Sequence, residues 1–212
     1  AEEACRIERE SLKEPVGKQD QYIAALGGFC AITIARNGKV SVEHMPVDFM
    51  TATELVTKAR VYYTGIQRSA TAVLKTQDQA ARETGRNDHR RVVDALAQIK
   101  EIGFRVRDAF AKHDLDTFGR LMDEHWRCKK RMSADISLSI IDDLYARVRK
   151  EFGVTGGKII GAGGGGFLML YCPRRGRELD EFMTRHDMPP IRYFPSMQGS
   201  RIVTDLSAYD GF

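Results

Sequence analysis

The chain has 212 residues, 42% of them hydrophobic and 29% charged, which is enough apolar material for a sizeable core without disulfide or metal staples. Its formal net charge of +4 comes from lysine and arginine interleaved with aspartate and glutamate. No ladder of basic and aromatic residues accompanies that charge, so the balance suits small anionic substrates and does not point to nucleic acid.

Residues 1–12 carry Ala4, Ile7 and Leu12 near helical spacing among charges, with no cap in front, so the chain is expected to begin inside a longer protein. After Pro15 and Gly17, residues 19–26 are expected to form a short helix stopped by Gly27 and Gly28. Residues 29–35 and 40–45 read as two strands joined by a tight hairpin, with Asn37 and Gly38 supplying positive φ angles. The β-branched and aromatic run at 59–64 reads as a third strand. The period then turns helical over 69–84, 88–113, 114–132 and 137–152. Leu96, Ile99, Phe104, Val106 and Phe110 are the expected apolar face of one of these helices, and Leu121, Met122 and Trp126 that of another. Strands at 157–160 and 167–172, a helix at 176–187 and strands near 191–194 and 201–206 complete an α+β reading. The change of period sets a domain boundary near residue 66.

Cys5, Cys30, Cys128 and Cys172 are far apart and form no C-x-x-C pair, so free thiols in a reducing cytoplasm are expected. His44, His89, His113, His125 and His186 show no metal-ligand spacing, and all five read as structural or surface residues. No apolar run reaches the roughly 20 residues of a membrane span. The charged amino terminus lacks the features of a signal peptide.

Residues 161–166 read GAGGGG and formally satisfy G-x-G-x-x-G. That dinucleotide fingerprint needs a helix after the glycines, yet an apolar and aromatic run closed by Pro173 follows, so the glycines join strand to strand. No G-x-x-x-x-G-K-[ST] loop occurs.

Two stretches taken together resemble the GHMP kinase superfamily of small-molecule kinases: GGKIIGAGGGG at 156–166, similar to its third motif, and IERESLKEPVGKQDQYIAALGG at 7–28, similar to the segment around its catalytic aspartate. YYTGIQRSATAVLKTQ at 62–77 and EHWRCKKRMSADIS at 124–137 resemble the sugar-phosphate branch that includes the heptose 7-phosphate kinases. The resemblance implies an α+β fold in which the end of the catalytic domain, at 1–66, is followed by a ferredoxin-like C-terminal domain with extra helices, at 67–212. It also implies an upstream phosphate-loop segment that this chain lacks, so that missing N-terminal segment would be a partner alongside a sugar-phosphate substrate. ATP and Mg²⁺ are the implied cofactors.

By the same resemblance Asp20 matches the catalytic aspartate, placed to accept or orient the proton of an acceptor hydroxyl. A helix N-cap is the alternative for an aspartate at that point. Glu8 matches a magnesium-ligating glutamate; a solvated helix carboxylate is its alternative. Lys18 could lower the aspartate's pKa or touch a substrate phosphate. Gly161, Gly163, Gly164 and Gly165 would bring bare backbone to the nucleotide. Arg68, Lys129 and Lys130 are the cations that could grip the acceptor's phosphate. The chain departs from the branch at residues 135–139, where an Asn-Pro after the serine is expected. A second reading stays open, a non-catalytic piece that binds a sugar ligand or a partner chain.

Overall fold

The computed structural model describes residues 1–67, 74–76, 78, 79, 87–133, 136–161, 163–201 and 203. The chain divides into two compact units, Ala1–Pro46 with Pro195–Phe212, and Val47–Phe194.

In the first unit, α1 (Glu2–Arg6) continues through a π-helical turn at Ile7–Ser11. Glu2 and Glu3 in its first turn and Arg6 in its last complement the helix dipole. α2 (Gln19–Leu26) follows, stopped by Gly27 as expected. β1 (Cys30–Ile34) and β2 (Val40–His44) pair antiparallel with Ile34 opposite Val40. Their connection differs in detail from the expected two-residue turn. Ala35 N–H donates to Lys39 O and Gly38 N–H to Ala35 O, each at 2.9 Å, which closes a three-residue loop. Such a loop needs one left-handed residue, Gly38 with φ of 81°, and Asn37 instead accepts from Lys39 N–H through its side chain at 3.1 Å. The distal segment returns to this unit: Gly28 N–H donates to Ser196 O at 2.7 Å and Ser200 N–H to Ala24 O at 3.1 Å.

The second unit opens with α3 (Phe49–Lys58), a helix absent from the sequence reading, whose Asp48 cap accepts from Thr51 N–H at 2.7 Å. β3 (Ala59–Tyr63), β4 (Gly156–Ile159), β5 (Phe167–Tyr171) and β6 (Pro190–Ile191) form an antiparallel sheet in the order β4-β5-β3-β6. With α4 (Asn87–Ala111), α5 (Leu115–Lys130) and α6 (Ser139–Phe152) between β3 and β4, and α7 (Gly176–Thr184) between β5 and β6, the succession is the β-α-β-β-α-β of a ferredoxin-like fold with extra helices in its first crossover. The boundary read near residue 66 lies within this unit, because β3 pairs along its length with β5. β6 is shorter than the strand read at 191–194, and the helix read at 69–84 and strand at 201–206 lie largely outside the described residues.

The core of this unit gathers Tyr62, Trp126, Leu168 and Leu170 with Ile141, Val148 and Phe152 of α6 and Leu179, Phe182 and Met183 of α7. On α4 the buried stripe is Val92, Ala95, Ile102 and Ala109, with Ile99 and Val106 half-buried between them. This spacing alternates three and four residues, the seam of two helices lying side by side, and α5 packs along it. Leu96 and Phe104, expected inside, are 42% and 38% exposed, because the seam follows this repeat and not the bulkiest side chains. Among the described residues no helix is long and apolar enough to cross a membrane, and the four cysteines are free.

Candidate functional site

The first unit places Glu8 and Asp20 on neighbouring elements. Glu8 lies in the π-helical turn and is half-buried, whereas Glu2, Glu3 and Glu10 are exposed. Its Oε2 accepts from Gln21 Nε2 at 2.6 Å, and Gln21 is the buried residue that follows Asp20. A π turn inserted in a helix is frequently a functional feature, since it displaces side chains from their helical register. Asp20 is exposed in the first turn of α2, where the helix dipole favours a carboxylate. Lys18, not Asp20, is the N-cap residue of α2, so the capping alternative does not describe this aspartate.

Lys18 donates to both carboxylate oxygens of Glu2, at 3.0 and 2.9 Å, and to Gly38 O at 3.1 Å. An ammonium has three N–H donors, so these contacts leave none for a substrate phosphate. Lys18 therefore ties α1, the start of α2 and the hairpin together. Glu2 also accepts from Tyr22 O–H, which pushes the Tyr22 hydroxyl up to about 12.

Mg²⁺ takes oxygen ligands and is commonly held by one or two carboxylates, with water and phosphate oxygens filling the remaining positions. Among the described residues no group of three or more metal-ligating side chains occurs. Glu8 fits as a single carboxylate ligand, its Oε2 oriented by Gln21.

In the second unit the turn between β4 and β5 holds Gly161, Gly163, Gly164, Gly165 and Gly166 at φ of 83°, 113°, 77°, 150° and 83°. Only glycine adopts such a run of angles without strain, so the backbone itself accounts for the number of glycines. A Cβ on Gly163 would lie 3.0 Å from Ile136 O, and one on Gly165 would lie 2.6 Å from Ile66 O. Gly164 N–H donates to Ile136 O and Gly166 N–H to Ile66 O, each at 2.8 Å. Three of the four glycines singled out in the sequence, Gly163, Gly164 and Gly165, are thus packed or bonded within the unit. Gly161 has open space where a side chain would stand, and it is the position at which the turn could offer bare backbone to a phosphate, whereas Gly166 donates its N–H to Ile66 O and accepts at its carbonyl from Thr64 N–H.

Of the three predicted phosphate anchors, Arg68 lies outside the described residues. Lys130 pairs with Asp142 at 2.8 Å and lies 5.9 Å from the Trp126 ring centroid, so the structure gives it a partner within the fold. Lys130→Ala is expected to lower stability by about 0.5–1 kcal/mol and to leave sugar-phosphate affinity unchanged, as thermal unfolding and titration calorimetry would report. Lys129 stands differently: half-buried, it donates to Gly161 O in the glycine turn. Burial and the neighbouring Lys158 pull its pKa down to about 8. Lys158, on β4, is also lowered by burial.

His125, one helical turn before Lys129, was read as an ordinary structural residue, and its setting is unusual. Burial, followed by the charges of Lys158 and Lys129, brings its pKa down to about 3. Its Nδ1 is buried and has no hydrogen-bond partner among the described residues. By contrast His113 contacts Thr51 Oγ1 at 2.9 Å and His186 contacts Phe182 O at 2.8 Å. The sequence reading thus missed His125 and Lys158. The i, i+4 pair of His125 and Lys129 was the available signal, although it does not reveal which strand lies beneath.

Residues 106–184 match the family model described as GHMP kinases C terminal. Over 168 residues the chain is 30% identical to a D-glycero-alpha-D-manno-heptose 7-phosphate kinase of Campylobacter jejuni, an alignment that covers 79% of this chain and 48% of that kinase. A solved structure of a candidate sugar kinase from Campylobacter jejuni superposes with a TM-score of 0.68 at 26% identity, covering 93% of this chain and 54% of that one. A D-glycero-D-manno-heptose 1-phosphate kinase from Bacteroides thetaiotaomicron shares the fold, with a TM-score of 0.64 at 24% identity over 94% of this chain and 53% of that one. The chain therefore spans about half the length of these relatives.

Proposed function

We propose that this chain, which carries the GHMP kinase C-terminal domain at residues 106–184, belongs to an ATP- and Mg²⁺-dependent kinase that transfers a γ-phosphate to a hydroxyl of a sugar or sugar phosphate. The acceptor we assign is a heptose 7-phosphate, phosphorylated at its anomeric hydroxyl. The observation that carries this reading is the pair formed in the first unit by Glu8, held by buried Gln21, and the adjacent, exposed Asp20. It lies in the segment whose sequence resembles the catalytic-aspartate region of the GHMP kinases.

Phosphoryl transfer requires little covalent chemistry from a protein; it requires alignment, acceptance of one proton and neutralisation of charge. Asp20 receives a hydrogen bond from the acceptor hydroxyl and takes its proton as the new O–P bond forms and the bond from the γ-phosphorus to the β–γ bridging oxygen breaks, releasing ADP. Its exposure leaves the carboxylate oxygens accessible to a substrate, and the first turn of α2 stabilises their charge. Glu8 would hold the Mg²⁺, which neutralises phosphate charge when bound. Gln21 fixes the orientation of that carboxylate. The phosphate loop expected upstream of this chain would supply the main contacts to ATP.

The test is turnover by the protein that contains this chain in its natural context, with ATP, Mg²⁺ and D-glycero-D-manno-heptose 7-phosphate. ADP release with formation of the 1,7-bisphosphate is the expected result. Binding of the sugar phosphate with no ADP release would replace the enzyme by a binding module.

A further inference from the structure

α5 lies directly on β4. A Cβ on Gly156 would sit 1.8 Å from Gly119 O and 2.8 Å from Asp123 N, so helix and strand backbones touch with no side chain between them. From Gly119 to Lys129 the helix rises by roughly 15 Å. From Gly156 to Ile159 the strand advances by roughly 10 Å, and the chain then turns at Ile160 and Gly161. Gly119 meets Gly156 at one end and Lys129 Nζ meets Gly161 O at the other, so the two elements run in the same direction. His125 on the helix and Lys158 on the strand stand along this shared course, near enough for Lys158 to depress both His125 and Lys129.

Among the described residues the charge in this corner is uncompensated. Lys18, Lys58 and Lys130 all have carboxylate partners. Among the described residues neither Lys129 nor Lys158 has one, and the buried Nδ1 of His125 has no partner either. Two half-buried ammonium groups that repel each other are costly unless an anion joins them. A phosphate monoester brings up to two negative charges and several acceptor oxygens, and the space beside Gly161 is open to admit it.

We propose that His125, Lys129 and Lys158, beside the Gly161 carbonyl, form a binding site for a phosphate monoester group. The ammonium groups supply charge and donors, and the neutral imidazole supplies one N–H from Nε2, since Nδ1 is buried. The assignment rests on the kinase reading only in naming the two sources of that group, the acceptor sugar or the end of the nucleotide.

Titration calorimetry of the protein that contains this chain in its natural context, with inorganic phosphate, glucose 6-phosphate and ATP, tests the site, using Lys129→Met, Lys158→Met and Lys158→Arg. Either Met variant is expected to weaken inorganic phosphate binding by about ten- to a hundredfold, and Lys158→Arg is expected to recover part of it. Without phosphate, Lys158→Met should melt at the same temperature as the unmodified chain or higher, because a repulsion has been removed. An NMR resonance of the His125 ring should move when phosphate is added, and should stay still in Lys158→Met. Loss of glucose 6-phosphate binding with ATP binding kept marks the acceptor as the source, and loss of both marks the nucleotide. Folded Met variants that bind inorganic phosphate as well as the unmodified chain would overturn the site, as would a still His125 resonance in the unmodified chain. Turnover and phosphate binding are separate readouts: an inactive protein that binds phosphate through these residues sinks only the proposed kinase, and an active one that does not sinks only this site.

Discussion

Asp20→Ala is expected to lower kcat by about a hundred- to ten-thousandfold, the range contributed by a positioned proton acceptor, while ATP affinity changes by less than about twofold because the side chain meets the acceptor hydroxyl and not the nucleotide. The fold should not change. Asp20 is exposed on the first turn of α2, and that helix is held through neighbouring residues, by Gln21 to Glu8 and by Tyr22 to Glu2. Steady-state ADP release, calorimetry with ATP and a melting curve separate the three quantities. Wild-type turnover in this variant would remove Asp20 from the reaction, and a lowered melting temperature would make it a structural residue.

The second large effect concerns stability. In Gly156→Ala the added methyl group would enter the space held by Gly119 O and Asp123 N, both of them backbone atoms that no rotamer change can move. α5 must lift from β4, and the core residues it carries, Trp126 among them, must follow. A loss of about 3 kcal/mol or more is expected, which for a chain of this size lowers the melting temperature by on the order of 10 °C. A melt unchanged from the unmodified chain would mean that helix and strand do not touch here. The variant should also weaken phosphate binding, because the lift separates Lys129 from Gly161.

Local chemistry made most elements legible. Gly27 stopped α2 and the hairpin lay where two β-branched runs flank residues 36–39, since both depend on residues close in sequence. α3 was missed although Asp48 stands at its start, because Thr51, Thr53, Val56 and Thr57 are β-branched and weaken the helical signal. The face of α4 was misjudged at Leu96 and Phe104 because side-chain size was followed where the three-four repeat decides which positions meet α5. The candidate site was legible only through resemblance: an aspartate and a glutamate twelve residues apart carry no spacing signal until the π turn and α2 bring their neighbourhoods together. The corner built by His125, Lys129 and Lys158 could not be read, since it depends on α5 lying along a strand that begins 26 residues after the helix ends.

The return of residues 195–201 to α2 bears on how the molecule is made. A Cβ on Gly199 would stand 2.1 Å from Ala25 O, and one on Gly27 would stand 2.4 Å from Gln198 C, so this seam closes directly between backbones. During synthesis the ribosome releases α2 long before it releases Gly199, and the helix must wait, unprotected along that edge, while the sheet between them assembles. Residues 195–201 thus act as a latch, and nascent chains halted before them should present α2 to proteases that chains carrying them resist.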